Sequence, residues 1–136
     1  MIDVSCAVII GQEGKVFVAQ RSMSMRLPLK WEFPGGKVES GEQPEECLFG
    51  EIAEELQVDI EILRPMLPYE HKAEPAIRLI PFICRIKSGE LKLTEHAAFL
   101  WLQPEELPAL DWAAADIPVV QQYLDDLKIS SALKTK

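Results

Sequence analysis

Positive charge is scarce in this chain: 14 Lys and Arg stand against 22 Asp and Glu, giving a formal net charge of -8. Affinity for a nucleic-acid polymer rests on clustered cations that displace counterions from the phosphates, so this balance argues against such a polymer as partner. A free nucleotide that arrives with its own divalent cation stays compatible. Long apolar runs are also missing. The run within Met1 to Ile10 is too short to span a bilayer and no basic leader precedes it, so a cytoplasmic protein without a membrane partner is expected. Cysteine is sparse, and Cys6, Cys47 and Cys84 have no metal-ligand spacing, so they read as reduced thiols. The two histidines, His71 and His96, sit in separate loop-like regions with no matched nucleophile, and each reads as a surface or hydrogen-bonding residue. No internal repeat or linker interrupts the 136 residues, and 48% hydrophobic content suffices for one core. A single domain over 1–136 is expected, with 128–136 a frayed polar tail.

What the chain does have is a concentration of acid on one short helix. Pro44 suits a first helical position, because its missing N–H would go unpaired there anyway, and Glu45 and Glu46 fall in the favourable first turn. A helix is therefore predicted to start near Gln43. Leu48, Ile52 and Leu56 form one apolar stripe at helical spacing. Glu51, Glu54 and Glu55, three and four residues apart, share another face roughly 100° around the cylinder. Their mutual repulsion costs stability unless hard cations neutralise it. Just upstream, Trp31 to Pro34 reads as a short buried strand or lead-in, and Gly35-Gly36 as a tight turn that admits close backbone approach, with the Lys37 ammonium available to a phosphate. Taken alone, the glutamates would be a solvated face and Lys37 a solvated lysine; the combination reads as a site for divalent cations and pyrophosphate. Cys47 falls within the carboxylate face, where a small space-filling residue is the simpler account.

The segment Gly36 to Val58 resembles the Nudix box of the Nudix hydrolase superfamily. The box's glycine and first glutamate correspond to Gly36 and Glu42, and its Arg-Glu-apolar-x-Glu-Glu run to Gly50-Glu51-Ile52-Ala53-Glu54-Glu55. Trp31 to Glu39 and Ala115-Asp116-Ile117-Pro118 are similar to the MutT-like nucleoside triphosphate pyrophosphohydrolases, in particular the CTP pyrophosphohydrolase branch. The resemblance implies an α/β/α sandwich with a mixed sheet. It also implies a magnesium-dependent hydrolase, with manganese able to stand in, that attacks the β-phosphorus and releases a nucleoside monophosphate and pyrophosphate. Glu51, Glu54 and Glu55 would be catalytic and hold the metal, Glu51 being first choice for activating water. The Gly35 carbonyl and a distant carboxylate, Glu95 first with the nearby Glu90 as the alternative, would complete the metal sphere. Arg21 aligns with a phosphate-binding arginine, although an exposed strand-end charge would look the same, and Arg78 could also approach the nucleotide. Asp116 matches a base-contacting position, yet it could equally cap a helix. An ionised Asp116 would only accept hydrogen bonds, which suits the amino group of cytosine or adenine and disfavours uracil.

Two positions depart from the pattern. Gly50 stands where the family has arginine, which removes a guanidinium expected to orient the neighbouring glutamate and weakens the helix by about 1 kcal/mol relative to Ala. Gln57 replaces the usual helix-ending glycine, so the easiest left-handed cap is missing. Gly50 keeps open a catalytically weakened nucleotide-binding or sensor module, and a hydrolase of nucleotide sugars or dinucleotides is a further alternative.

The remaining chain reads as α/β. Val4 to Ile10 and Lys15 to Arg21 look like a hairpin joined by a loop, and Ser22 to Lys30 like a polar loop. Val58 to Leu63, Ala76 to Ile86 and Phe99 to Leu102 look like strands, with Pro81 an awkward residue for pairing. A helical turn is predicted from Pro104 to Leu107 and a helix over Ile117 to Leu127.

Overall fold

The computed structural model describes residues 1–134. Its strands are β1 (Ile2–Ile9), β2 (Val16–Gln20), β3 (Trp31–Glu32), β4 (Gly35–Lys37), β5 (Val58–Pro65), β6 (Tyr69–His71), β7 (Ile77–Gly89) and β8 (Ala98–Leu102). The two helices are α1 (Pro44–Leu56) and α2 (Ile117–Lys134). Short 3-10 turns occur at Gln12–Gly14, Pro104–Ala109 and Ala114–Asp116.

Strand alternation sets the layers. On β1, β2 and β7, Cys6, Val8, Val16, Val18, Leu79 and Ile83 pack toward Val119, Val120 and Tyr123 of α2. Their alternate neighbours Ala7, Ile9, Phe17, Ala19, Phe82 and Cys84 pack toward Leu48, Ile52 and Leu56 of α1. Strands apolar on both faces need a cover on each side, and the result is the expected α/β/α sandwich. One sheet runs β4-β1-β7-β5, with β6 also against β7; β1 and β7 are parallel and the other pairs antiparallel. A second sheet runs β3-β2-β8, all antiparallel. Among the described residues no helix is long and apolar enough to cross a membrane.

Four sequence expectations change in detail. Val4 to Ile10 and Lys15 to Arg21 do not form a hairpin ladder. A bridge between Ile10 and Val16 and a 2.8 Å bond from Gly11 N–H to Lys15 O close the loop, after which β1 and β2 part into different sheets. Each strand finds other neighbours for both of its edges, β4 and β7 for β1, and β3 and β8 for β2. Gly35-Gly36 is not a turn but the start of β4, paired with Cys6 and Ser5 of β1. Its glycines are still required for closeness, because a Cβ on Gly35 would lie 1.9 Å from the Ser5 carbonyl oxygen. Pro81 sits mid-strand without penalty. Its carbonyl accepts from Met66 N–H at 3.0 Å, and its missing N–H faces the same side, where β7 passes from β6 to β5 as partner. Finally, α2 runs on to Lys134 where a frayed tail from Lys128 was expected, since no glycine or proline stops it and Ala132 and Leu133 favour helix. The last residues, 135–136, lie outside the described part.

Candidate active site

Helix α1 is positioned by its ends and its apolar stripe. Gln43 precedes Pro44 at the N-terminus, and Gln57 takes the left-handed conformation at the C-terminus (φ 59°), its N–H donating to Ala53 O at 3.1 Å. Gln57 therefore does the glycine's work at some backbone cost. Leu48, Ile52 and Leu56 are fully buried. That burial fixes the helix rotation and turns Glu51 and Glu55 toward β4, both half-buried, with Glu54 exposed. Cys47 is buried below them, its thiol donating to the carbonyls of Lys37 (3.4 Å) and Gly36 (3.6 Å), which ties α1 to β4.

The carboxylates crowd one another. Glu51 is pushed upward in pKa by burial first and then by Glu54, Glu42, Glu39 and Glu95. Glu55 is pushed up to about 9 by burial, with the charges of Glu32, Glu51 and Glu95 adding and the Gly35 backbone opposing. One Glu55 oxygen, Oε2, is buried with no hydrogen-bond partner. Glu95 is brought to this group by the chain before it. Lys92 N–H donates to Leu56 O, Thr94 N–H to Glu55 O and Thr94 Oγ1 to Glu54 O, at 3.0, 3.1 and 3.0 Å, so the segment packs on the last carbonyls of α1. Glu90 does not figure among the charges acting on either glutamate. Hard oxygen donors under mutual repulsion, one of them orphaned, fit a hard divalent cation. Among the described residues no three His, Cys, Asp or Glu side chains are already gathered at ligand separations.

Beside Glu55 opens a cleft of about 590 Å³, whose lining includes Gly35, Gly36 and Glu55 together with Arg21, Phe33, Trp112 and Asp116. Arg21 reaches it from the end of β2, held by Glu32 (Nη1 to Oε1, 2.5 Å) and by the Arg26 carbonyl. Asp116 is buried, and burial raises its carboxyl well above the usual range, with Glu32 adding and Arg21 and the Phe33 backbone opposing. Burial thus works against the ionised, accept-only form expected of Asp116 and favours the protonated carboxyl, which both donates and accepts. Lys37 and Arg78 are not brought in. Lys37 is exposed one residue beyond the glycines that line the cleft. Arg78 is exposed between Ile77 and Leu79, which do line it, and strand alternation sends the arginine to the opposite face.

Sequence reasoning gave Glu32 no role of its own and read His96 only as a surface or hydrogen-bonding residue. His96 is buried and its Nε2 lies 2.8 Å from Glu32 Oε2, so one carboxylate holds both Arg21 and His96. The signals were adjacency to motifs: Glu32 lies inside the Trp31 to Glu39 stretch and His96 follows Glu95.

Residues 1–123 match the NUDIX domain. The chain is 33% identical over 125 residues to a CTP pyrophosphohydrolase of Escherichia coli (strain K12), covering 91% of this chain and 92% of that protein. It is 27% identical over 129 residues, 93% of each, to an 8-oxo-dGTP diphosphatase of Haemophilus influenzae. Among solved structures, the DNA mismatch repair protein MutT from methicillin-resistant Staphylococcus aureus 252 shares 40% identity at a TM-score of 0.73, over 92% of this chain and 96% of that one. On that match over nearly the whole chain, which takes in the acidic helix α1 and the glycines of β4, the chain belongs to the Nudix hydrolase family.

Proposed function

We propose that the chain is a magnesium-dependent nucleoside triphosphate pyrophosphohydrolase, for which manganese can substitute, acting on cytosine or modified (deoxy)nucleoside triphosphates. One observation carries the reading: Glu55 lines the same cleft as Arg21, Phe33 and Asp116, so an acidic face, a cation and a base-sized recess share one opening. Divalent cations bound there would neutralise the phosphates and lower the pKa of the attacking water. Glu51, Glu54, Glu55 and Glu95, with the Gly35 carbonyl, are the groups to hold them. Glu51 is our choice to take the water's proton, and burial raises its pKa toward the working range of a general base. Arg21 contacts phosphate oxygens, and Glu32 keeps its guanidinium extended into the cleft.

In the recess, Phe33 and Trp112, with ring centroids 4.9 Å apart, offer an apolar wall for a base. A protonated Asp116 would present one donor and one acceptor, which fits the N3 and amino group of cytosine and equally the carbonyl and N1–H edge of an oxidised guanine. The two relatives' names, a CTP pyrophosphohydrolase and an 8-oxo-dGTP diphosphatase, agree with those two bases. A second reading, a weakened nucleotide-binding module, rests on Gly50. A panel of nucleoside triphosphates, nucleotide sugars and dinucleotides assayed with magnesium, resolving pyrophosphate from phosphate, tests both readings. Binding without turnover would favour the module.

A further inference from the structure

The Glu95 segment is anchored on both sides by backbone bonds, Thr94 N–H to Glu55 O at 3.1 Å and Ala97 N–H to Gln20 O at 2.9 Å. Between those anchors His96 turns inward, its side chain 0% exposed, and meets Glu32, whose side chain is 12% exposed. A carboxylate only accepts, so His96 Nε2 carries the proton and donates, leaving Nδ1 as the partnerless nitrogen. Glu32 cannot drift to follow it, because its other oxygen is held by Arg21. Glu32 also lies three residues before Gly35, and its charge acts on Glu55. The histidine thus joins the loop bearing Glu95 to the strand leading into Gly35.

We propose that His96 is a positioning residue for the divalent-cation site: its bond to Glu32 fixes where Glu95 stands relative to Glu51 and Glu55. The inference rests on the hydrolase reading above for the cation, but not for the clamp. Neighbours that orient metal ligands typically contribute 10- to 100-fold in metal affinity, which sets the scale of the effect.

The test compares two buried amides of different reach. In His96→Gln the amide nitrogen can occupy the place of Nε2 and meet Glu32, whereas in His96→Asn it falls short. Mn2+ binding to the nucleotide-free protein, measured by calorimetry, should be near wild type in His96→Gln and weaker by about tenfold or more in His96→Asn. At saturating metal, kcat should fall in His96→Asn while the nucleotide KM stays within about twofold, since the base and phosphate contacts remain. Hydrogen exchange at residues 94–97 in metal-free protein should accelerate in His96→Asn only. Equal Mn2+ affinity in both variants, whether retained or lost, or unchanged exchange in His96→Asn, would overturn the clamp. The exchange comparison reads the clamp without any cation. Wild-type turnover, measured separately, is what bears on the hydrolase reading.

Discussion

Glu51 stands against the α-carbon of Gly36: a Cβ placed on that glycine would lie 2.3 Å from the Glu51 carboxyl carbon. At Gly35 the obstacle is backbone instead, the Ser5 carbonyl oxygen at 1.9 Å. Two neighbouring glycines are thus needed for different reasons. Gly36→Ala should displace the end of a flexible side chain, leaving stability within about 1–2 kcal/mol of wild type while turnover falls sharply. Gly35→Ala must push β4 off β1 and should cost about 3 kcal/mol or more. Denaturant melts paired with rates check both, and equal stability losses would contradict the distinction.

The Glu55 carboxyl makes metal-free stability depend on pH. With a folded pKa of about 9 against the ordinary 4.5, the folded state holds a proton that the unfolded state has released across that interval. Stability from this group is complete below about 4.5 and is lost as pH rises toward about 9. In chelator, Glu55→Gln should therefore melt progressively higher than wild type as pH is raised from 5 to about 9, while losing most metal-dependent turnover. A melting-temperature difference that does not change with pH would contradict the assignment.

Gly50 faces open space, with nothing within 4 Å of an added Cβ. Gly50→Ala should raise stability by about 1 kcal/mol through helix propensity alone. Gly50→Arg should add an increase in kcat if the missing guanidinium limits Glu51. Higher stability with unchanged or lower kcat in Gly50→Arg would show that no orienting arginine is needed.

Asp116 is predicted to act as a neutral donor and acceptor. Asp116→Asn preserves both functions in the same volume and should keep base preference within about threefold, whereas Asp116→Ala should erase a preference of roughly tenfold for the best triphosphate over its worst competitor. Preference retained in Asp116→Ala would move base recognition elsewhere in the cleft.

The sequence was most legible where local rules act alone. Pro44, the Leu48, Ile52 and Leu56 stripe and the spacing of Glu51, Glu54 and Glu55 set α1 and its acidic face without reference to the rest of the chain. Glu95 could be set above Glu90 only by resemblance, because the bonds that tie Lys92 and Thr94 to the end of α1 join segments far apart in sequence. What failed to show were properties made by burial and by pairing across distance. The fold encloses Asp116 and so raises its carboxyl pKa, and Arg78 misses the cleft because strand parity sends it the other way. His96 meets Glu32 across 64 residues of sequence, which no local pattern encodes.

The central claim is that the α1 carboxylates support magnesium-dependent cleavage of a nucleoside triphosphate between its α- and β-phosphates. A single assay tests it: CTP and an oxidised deoxyguanosine triphosphate incubated with magnesium and wild type, Glu54→Gln or Glu55→Gln, with pyrophosphate, phosphate and nucleotide products resolved. The account predicts monophosphate and pyrophosphate in equal amounts from wild type, little from either variant, and none in chelator. Phosphate with a nucleoside diphosphate as the products, or full activity in both variants, would contradict it.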